Sequence, residues 1–536
     1  MKTTSSNRTW HIALPLLIVA ACLLGPGLAQ AQMTSTGVDC SQIAAKHLLV
    51  QDNLRAGLIL MECGVVPRPG ADKLRGEEAD DDTLPPNVLV SNRTCSSNTS
   101  CTHSESMVWH SPAAGSNTVV VNYNDDYPGG GSNYSGTSFS TDGGNTFTQI
   151  LPPPFSTGWG TNYGDPLMVY NLKLGLWFGG DLATGCGGFG LGLWSSPDGQ
   201  NWTPASCAHN GDDDDRPSMW VDNNPYSAIY GRMFVSWNNY AVGCGEGGCL
   251  FVTHSDDGMN WSTPYQLNTG TFIRDVQLTG TPPGPPPPIA RYFSTVFIAG
   301  MDEGGGGLNT RQNIIYRSLD GGNTWTSTVT GPRFNPPGDG TCGYFAKMNP
   351  IWRHMGWGEP GVGPGGIVHY AYAGQGSLST GDIFYVRSAD NGETWSTPIV
   401  LNDPETNQYQ SHWMPSLSVN YSSTTFVQPT DVTVSWYDRR QATSACNLVT
   451  DPGCSYQRYG VQSPDNGVTW GSNFAVSDQI IPEPAQDDPY IQSCYAGDYD
   501  YNTALNGTAY VTWTDGRVSV GGVQVQNVEF DAVPEP

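Results

Sequence analysis

Arg216, Arg439, Arg440 and Arg517 each stand close to a carboxylate, in the phrases Asp215-Arg216-Pro217, Tyr437-Asp438-Arg439-Arg440 and Thr514-Asp515-Gly516-Arg517. Tyr495, Asp498 and Tyr499 share the phrase Cys494-Tyr495-Ala496-Gly497-Asp498-Tyr499, and Glu303 follows Asp302. Cleaving a glycosidic bond takes one acid to protonate the leaving oxygen. It also takes a second group, a carboxylate or a tyrosine, to stabilise or attack the oxocarbenium-like centre. Guanidinium groups add bidentate recognition of a carboxylate. The four arginines, the two tyrosines and the acids Asp438, Asp498 and Glu303 are therefore the candidate catalytic set, provided folding gathers them. That chemistry needs no cofactor. No cysteine pair shows zinc-ligand spacing with histidines, so a zinc site of that kind is not expected.

Each candidate also has a purely structural reading. Arg439 and Arg440 can serve to pair with Asp438 after a core strand, and Asp165, Asp215 and Asp498 can cap turns. The run Asp212 to Asp215 reads as a solvated loop, with structural calcium as the smaller alternative. His412 and Trp413 fit a packed turn or a sugar platform, and His354, beside Arg353, fits the lining of a channel.

The elements that must position these residues are announced by a repeat, Ser-x-Asp-x-Gly-x-Thr-(Trp/Phe). Copies begin at Ser140, Ser318, Ser388 and Ser463, with copies one residue shorter at Ser196 and Ser255. Successive starts lie 56 to 75 residues apart, a period that means a propeller or an array when it carries strands and turns. An Asp followed closely by Gly signals a tight turn, because Gly accepts positive φ and the Asp side chain bonds nearby amides. The closing Trp or Phe is expected to fold under the turn and bury its ring. Strand-like runs flank the copies, among them Ile383 to Val386, Val432 to Trp436 and Tyr510 to Trp513.

This pattern resembles the Asp-box repeat of sialidases and related propellers. The phrases from Asp215 to Asp222, Val434 to Arg440, Cys494 to Tyr499 and Val511 to Arg517 are similar to those of exported bacterial sialidase-like proteins. The resemblance implies an all-β propeller of four-stranded blades, seven or alternatively six. It also implies an active site on the face opposite the locked turns, three arginines around a substrate carboxylate, and a tyrosine nucleophile. Arg216, Arg439 or Arg440, and Arg517 are the arginines that position offers, with Tyr495 or Tyr499 as nucleophile and Glu303 or Asp438 alongside. The Arg-Ile-Pro motif that carries the first sialidase arginine is missing here.

Four segments are expected. Residues 1–31 read as an export signal, with Lys2 and Arg8 ahead of an apolar run and Ala29-Gln30-Ala31 as the cleavage site. A lipoprotein signal ending at Cys22 is the alternative. Residues 32–63 form a helical segment, 64–86 an acidic linker and 87–536 the propeller. A seventh second strand at Tyr510 to Trp513 is followed by a third at Val523 to Val525 but by no locked turn, so Asn87 to Val90 is expected to supply the outer strand and close the ring. The final Val533-Pro534-Glu535-Pro536 resembles the start of a sorting tail but lacks the apolar span such a tail needs.

Cysteine usage fits an oxidising compartment. Cys95 with Cys101, Cys244 with Cys249, and Cys446 with Cys454 are close pairs, and Cys186 with Cys207 and Cys342 with Cys494 are looser ones. Joined by one straight helix, Cys40 and Cys63 would lie roughly 34 Å apart at about 1.5 Å per residue, too far to bond. Either the helix breaks, at Gly57 for instance, or each finds another partner. The formal charge of −26 opposes nucleic acid and anionic membranes, and at long range an anionic sugar as well, so the carbohydrate partner that the resemblance implies would, if anionic, need a local arginine cluster. Three functions follow: a secreted glycoside hydrolase, a non-catalytic glycan- or protein-binding propeller of the envelope, or a lyase. The sequence sets no oligomeric state.

Overall fold

The computed structural model describes residues 32–69, 86–284, 294–422, 430–448 and 451–536. The expected export signal, with Cys22, and most of the acidic linker lie outside the described residues.

Seven antiparallel sheets carry the fold, at 103–149, 167–209, 214–266, 273–329, 358–400, 412–475 and 503–534, numbered here as blades 1 to 7. Runs such as Val119-Val120-Val121 form the second strands; in blade 1 all of Val119–Asp125 is buried, because the sheet is packed on both faces. The inner strands touch in the order 1 to 7 and then 1 again, so the sheets form a ring. Val88–Leu89 is the outer strand of blade 7, pairing Val88 with Phe530 and Leu89 with Glu529. The chain thus begins and ends its propeller in one sheet, which removes an open edge.

One strand differs from expectation. The third strand of blade 7 is Asn527–Pro534, while Val523–Gln524 belongs to a small hairpin before it. Val533, in the stretch that resembles a sorting tail, pairs with Ala509 and is buried.

The six repeats form the turns between third and outer strands, all on one face of the ring. In the first, Ser140 Oγ donates to Asp142 Oδ1 at 2.7 Å and accepts from the Gly144 amide at 2.9 Å. Asp142 accepts from the Thr146 amide at 3.0 Å and from its hydroxyl at 2.7 Å. In the two shorter copies Asn201 and Asn260 take the place of that threonine. The turn glycine is required twice over: Gly322 has φ of 92°, and a Cβ there would lie 2.7 Å from Phe234 of the preceding blade. Phe147 is buried, while the five closing tryptophans are half-buried, each packed against a core cluster with one edge at the surface.

The opposite face is closed by the N-terminal segment. Its helix, Leu54–Glu62, starts at Asn53, whose side chain accepts from the Ala56 amide at 2.8 Å. Leu54, Leu58 and Met61 pack among Tyr134, Tyr163, Phe189, Ile491 and Tyr495 from the loops of that face. Cys40 and Cys63 are bonded to each other, because turns over 43–53 fold the segment back before the helix begins, whereas Gly57 lies inside the helix. The other five expected disulfide pairs are all present. Among the described residues, no helix is long and apolar enough to cross a membrane.

The Asp212 to Asp215 run is not a solvated loop: Asp213, Asp214 and Asp215 are buried. Lys46 pairs with Asp212 and Asp213, and Arg55 with Asp213. Asp215 accepts from the Asp52 amide and from Asn53. The run is the docking ground of the N-terminal segment.

Candidate functional site

Near the start of their inner strands, blades 1, 2, 3, 4 and 6 carry Glu105, Asp165, Arg216, Asp275 and Met414, with φ of 46°, 63°, 48°, 70° and 50°. Left-handed backbone costs a non-glycine residue of order 1–3 kcal/mol, and such strain collects at functional sites. Bulges in blades 1, 3 and 6 coincide with these positions.

Asp52, from the N-terminal segment, enters this ring. Its Oδ2 lies 3.0 Å from Arg216 Nη1 and 3.5 Å from Arg274 Nη1, and Arg353 Nη2 donates to its backbone carbonyl at 2.6 Å. Each arginine also has a carboxylate of its own. Asp275 lies 3.2 Å from Arg216, Glu303 2.8 Å from Arg274, and Asp498 2.7 Å from Arg353. All seven residues are buried. Burial acts to raise the Asp52 pKa, but Arg274, Arg216, the hydrogen bond with Asp215 and Arg353 hold it at about 2. Burial and Asp498 push Glu105 up to about 8, and burial with neighbouring carboxylates pushes Asp165 and Asp215 well up. The raised values favour the neutral forms of these acids, which eases the repulsion among the carboxyls crowded at the axis.

The axis thus brings together Arg216, Glu303, Tyr495, Asp498 and Tyr499 from the sequence-derived set. Tyr495 accepts from Asn124 at 2.9 Å, with the Arg353 guanidinium 5.1 Å from its ring. Tyr499 stacks on Tyr501 at 4.6 Å, with Arg216 4.9 Å from its ring. The arginines beside Arg216 are Arg274 and Arg353, not Arg439, Arg440 or Arg517. Arg440 pairs with Asp438 and Asp403, and Arg517 with Asp515 and Asp478. Asp438 is buried against His412, Trp436 and Arg440. His354 is buried at the axis beside Arg216 and Trp357. Among the axial residues, Asp52 is one that sequence reasoning missed; the polar triplet Gln51-Asp52-Asn53 interrupting an apolar stripe was its only mark.

What the axis can do is limited by its filling. The carboxylate among its arginines is the chain's own, and the cavity beneath it, lined by His354, Glu359 and Tyr499, has a volume of about 10 Å³. That is room for one water. From the locked-turn face the channel is hollow for about 130 Å³, between Met107, Trp220, Val362 and Tyr501.

The loop face also holds a larger hollow, off the axis between blades 5 and 6, with a volume of about 600 Å³. Its lining includes Asp339, Lys347, Asn349, Gln408, Tyr409 and Arg439. Arg439 donates through Nη2 to the Tyr409 carbonyl at 3.1 Å, while its Nε and Nη1 are buried and make no hydrogen bond among the described residues. Burial lowers its pKa, against the pull of Glu483 and Asp339. Burial pushes Glu483 up to about 8, although Arg439 draws it down. Asn349 Nδ2 lies 3.4 Å from Glu483 Oε2 and so links that acid to the cleft lining. A cleft with a cation, amides and a phenol offers groups that bind sugar hydroxyls, and Glu483 stands behind its wall at Asn349.

No protein-family model matches the chain, and no curated protein matches it. Among solved structures it is similar to an ulvan lyase of a new polysaccharide lyase family, at 10% identity and a TM-score of 0.43, covering 82% of this chain and 96% of that one. It is similar to the α-L-arabinofuranosidase of Fusarium graminearum at 11% identity and a TM-score of 0.39, over 84% and 98%. A Hadza microbial sialidase is similar at 14% identity and a TM-score of 0.36, over 77% and 76%. The blade count rests on the strand pairing above and not on these likenesses.

Proposed function

We propose that this chain is an exported, sialidase-like Asp-box propeller that acts on glycans as a glycoside hydrolase, through the cleft between blades 5 and 6 rather than at the axis. The observation that carries this reading is the contrast between the two places. The axial arginines are paired with carboxylates around a cavity of about 10 Å³, whereas Arg439 has no carboxylate at ion-pair distance among the described residues and lines a polar cleft of about 600 Å³. In this reading Arg439 and Tyr409 hold the sugar. Glu483, its pKa raised to about 8 by burial, supplies the proton to the leaving oxygen, and Asp339 on the cleft wall is the second carboxyl group. The six disulfides support export.

A non-catalytic glycan-binding propeller is the second reading. It is favoured by the burial of Glu483, which is 4% exposed and reaches the cleft through Asn349. The two part in one experiment: purified protein is assayed on a panel of aryl glycosides, sialosides included, and on a glycan array. Hydrolysis is expected, falling at least about tenfold in Arg439→Ala and further in Glu483→Gln. Binding without turnover, lost in Arg439→Ala, establishes the binder. Turnover untouched by both substitutions removes the cleft from consideration.

A further inference from the structure

We propose that Asp382, Glu405 and His412 form a binding site for one divalent transition-metal ion, of the zinc or manganese class, behind the wall of the cleft. Three separate segments supply the residues. Asp382 opens the third strand of blade 5, Glu405 lies on the connection from blade 5 to blade 6, and His412 opens the inner strand of blade 6. One ligand atom from each lies within 4.8 Å of the others. An ion bonded at about 2.0–2.2 Å keeps its ligand atoms within about 4.4 Å of one another, so little closure is needed.

The second observation is the imidazole. His412 is 1% exposed, and among the described residues neither ring nitrogen makes a hydrogen bond of good geometry. Nδ1 nevertheless faces Asp438 Oδ2 at 3.1 Å, which leaves Nε2 for a ligand. A carboxylate behind a metal-binding histidine fixes its tautomer and ring orientation. Asp438 is itself fixed, by Trp436 Nε1 at 3.0 Å and by Arg440 Nη2 at 2.7 Å. The carboxylates are similarly held. Asn402 donates to Asp382 Oδ1 at 3.1 Å and Ser379 to Glu405 Oε1 at 2.7 Å, and the two acids also meet each other through a hydrogen bond whose shared proton an ion would displace. A buried imidazole with two carboxylates favours zinc or manganese. Calcium prefers six to eight oxygens.

Such an ion would tie the two loops that wall the cleft, since Ser379, Thr380, Gln408 and Tyr409 all line it. The proposal does not depend on what the cleft binds. The test uses the full secreted chain, treated with EDTA and dialysed, then titrated calorimetrically with Zn²⁺, Mn²⁺ and Ca²⁺ in physiological salt. One Zn²⁺ or Mn²⁺ per chain is expected, with a rise in melting temperature. Affinity should fall at least tenfold in Asp382→Asn and in Glu405→Gln, and about 10- to 100-fold in Asp438→Asn. His412→Ala should abolish binding. Glu405 is partly exposed, so Glu405→Gln keeps the test decisive if the histidine variant does not fold. No binding by the wild type, equal binding by wild type and Glu405→Gln, or preference for Ca²⁺ would each overturn the site.

Discussion

The Asp52 carboxylate lies between the guanidinium groups of Arg216 and Arg274, its carbonyl accepts from Arg353, and it relieves part of the cost of burying them. Each arginine has another carboxylate, but among the described residues none other than Asp52 touches all three. Removing one partner of a buried ion pair costs about 3–5 kcal/mol, because the remaining charges stay buried. Asp52→Ala should therefore lose about that much in denaturant unfolding. Asp52→Asn, which keeps acceptors for Arg216, should lose less. A loss below about 1 kcal/mol would mean that Asp275, Glu303 and Asp498 neutralise the arginines unaided. At this scale the sequence was only partly readable. Arg216, Tyr495, Asp498 and Tyr499 were legible because they precede or open inner strands, a position the repeat fixes. Arg439 and Arg517 share that logic but follow second strands, and their side chains go to the cleft and to Asp478 instead. Asp52 was illegible, since nothing in a short N-terminal segment states where it docks.

The locked turns are the elements most completely written in the sequence. Their Ser, Asp, Gly and Thr are hydrogen-bonded to one another within eight residues, so no distant contact decides their form. Local determination of this kind failed in blade 7. Val523-Gln524-Val525 alternates like a strand, yet pairing across the sheet selects Asn527–Pro534. The turns also carry a pH signature. In Asp257, hydrogen bonds from the backbone and side chain of Asn260 hold the pKa at about 2. In Asp198, hydrogen bonds from the backbone and side chain of Asn201 do the same, overcoming partial burial. A depressed folded pKa contributes stability that is complete above the unfolded value, 3.8, and lost as pH falls through about 2. Denaturant stability should thus decline between pH 4 and pH 2, and Asp257→Asn should flatten part of that decline. An unchanged slope in the variant would show that the decline belongs to other acids.

At the scale of the whole molecule, the N-terminus closes the propeller twice: Val88–Leu89 completes blade 7, and the segment stapled by Cys40–Cys63 seals the loop face. The seal resembles a lid only in position. Every residue from Leu54 to Met61 is buried, and Leu54, Leu58 and Met61 belong to the largest core cluster. Lifting it would expose apolar surface on both sides and leave Arg216, Arg274 and Arg353 sharing fewer carboxylates. A chain lacking residues 32–66 should therefore not reveal an open axial pocket. It should aggregate or bind a hydrophobic dye, with a melting temperature well below that of the full chain, as judged by size-exclusion chromatography and calorimetry. The cleft between blades 5 and 6 gives the comparison its edge, because none of its lining comes from the N-terminal segment. If the truncated protein were instead monomeric and as stable as the full chain, the segment would be a removable cover. The arginines at the axis would then be a second place for an acidic ligand to bind.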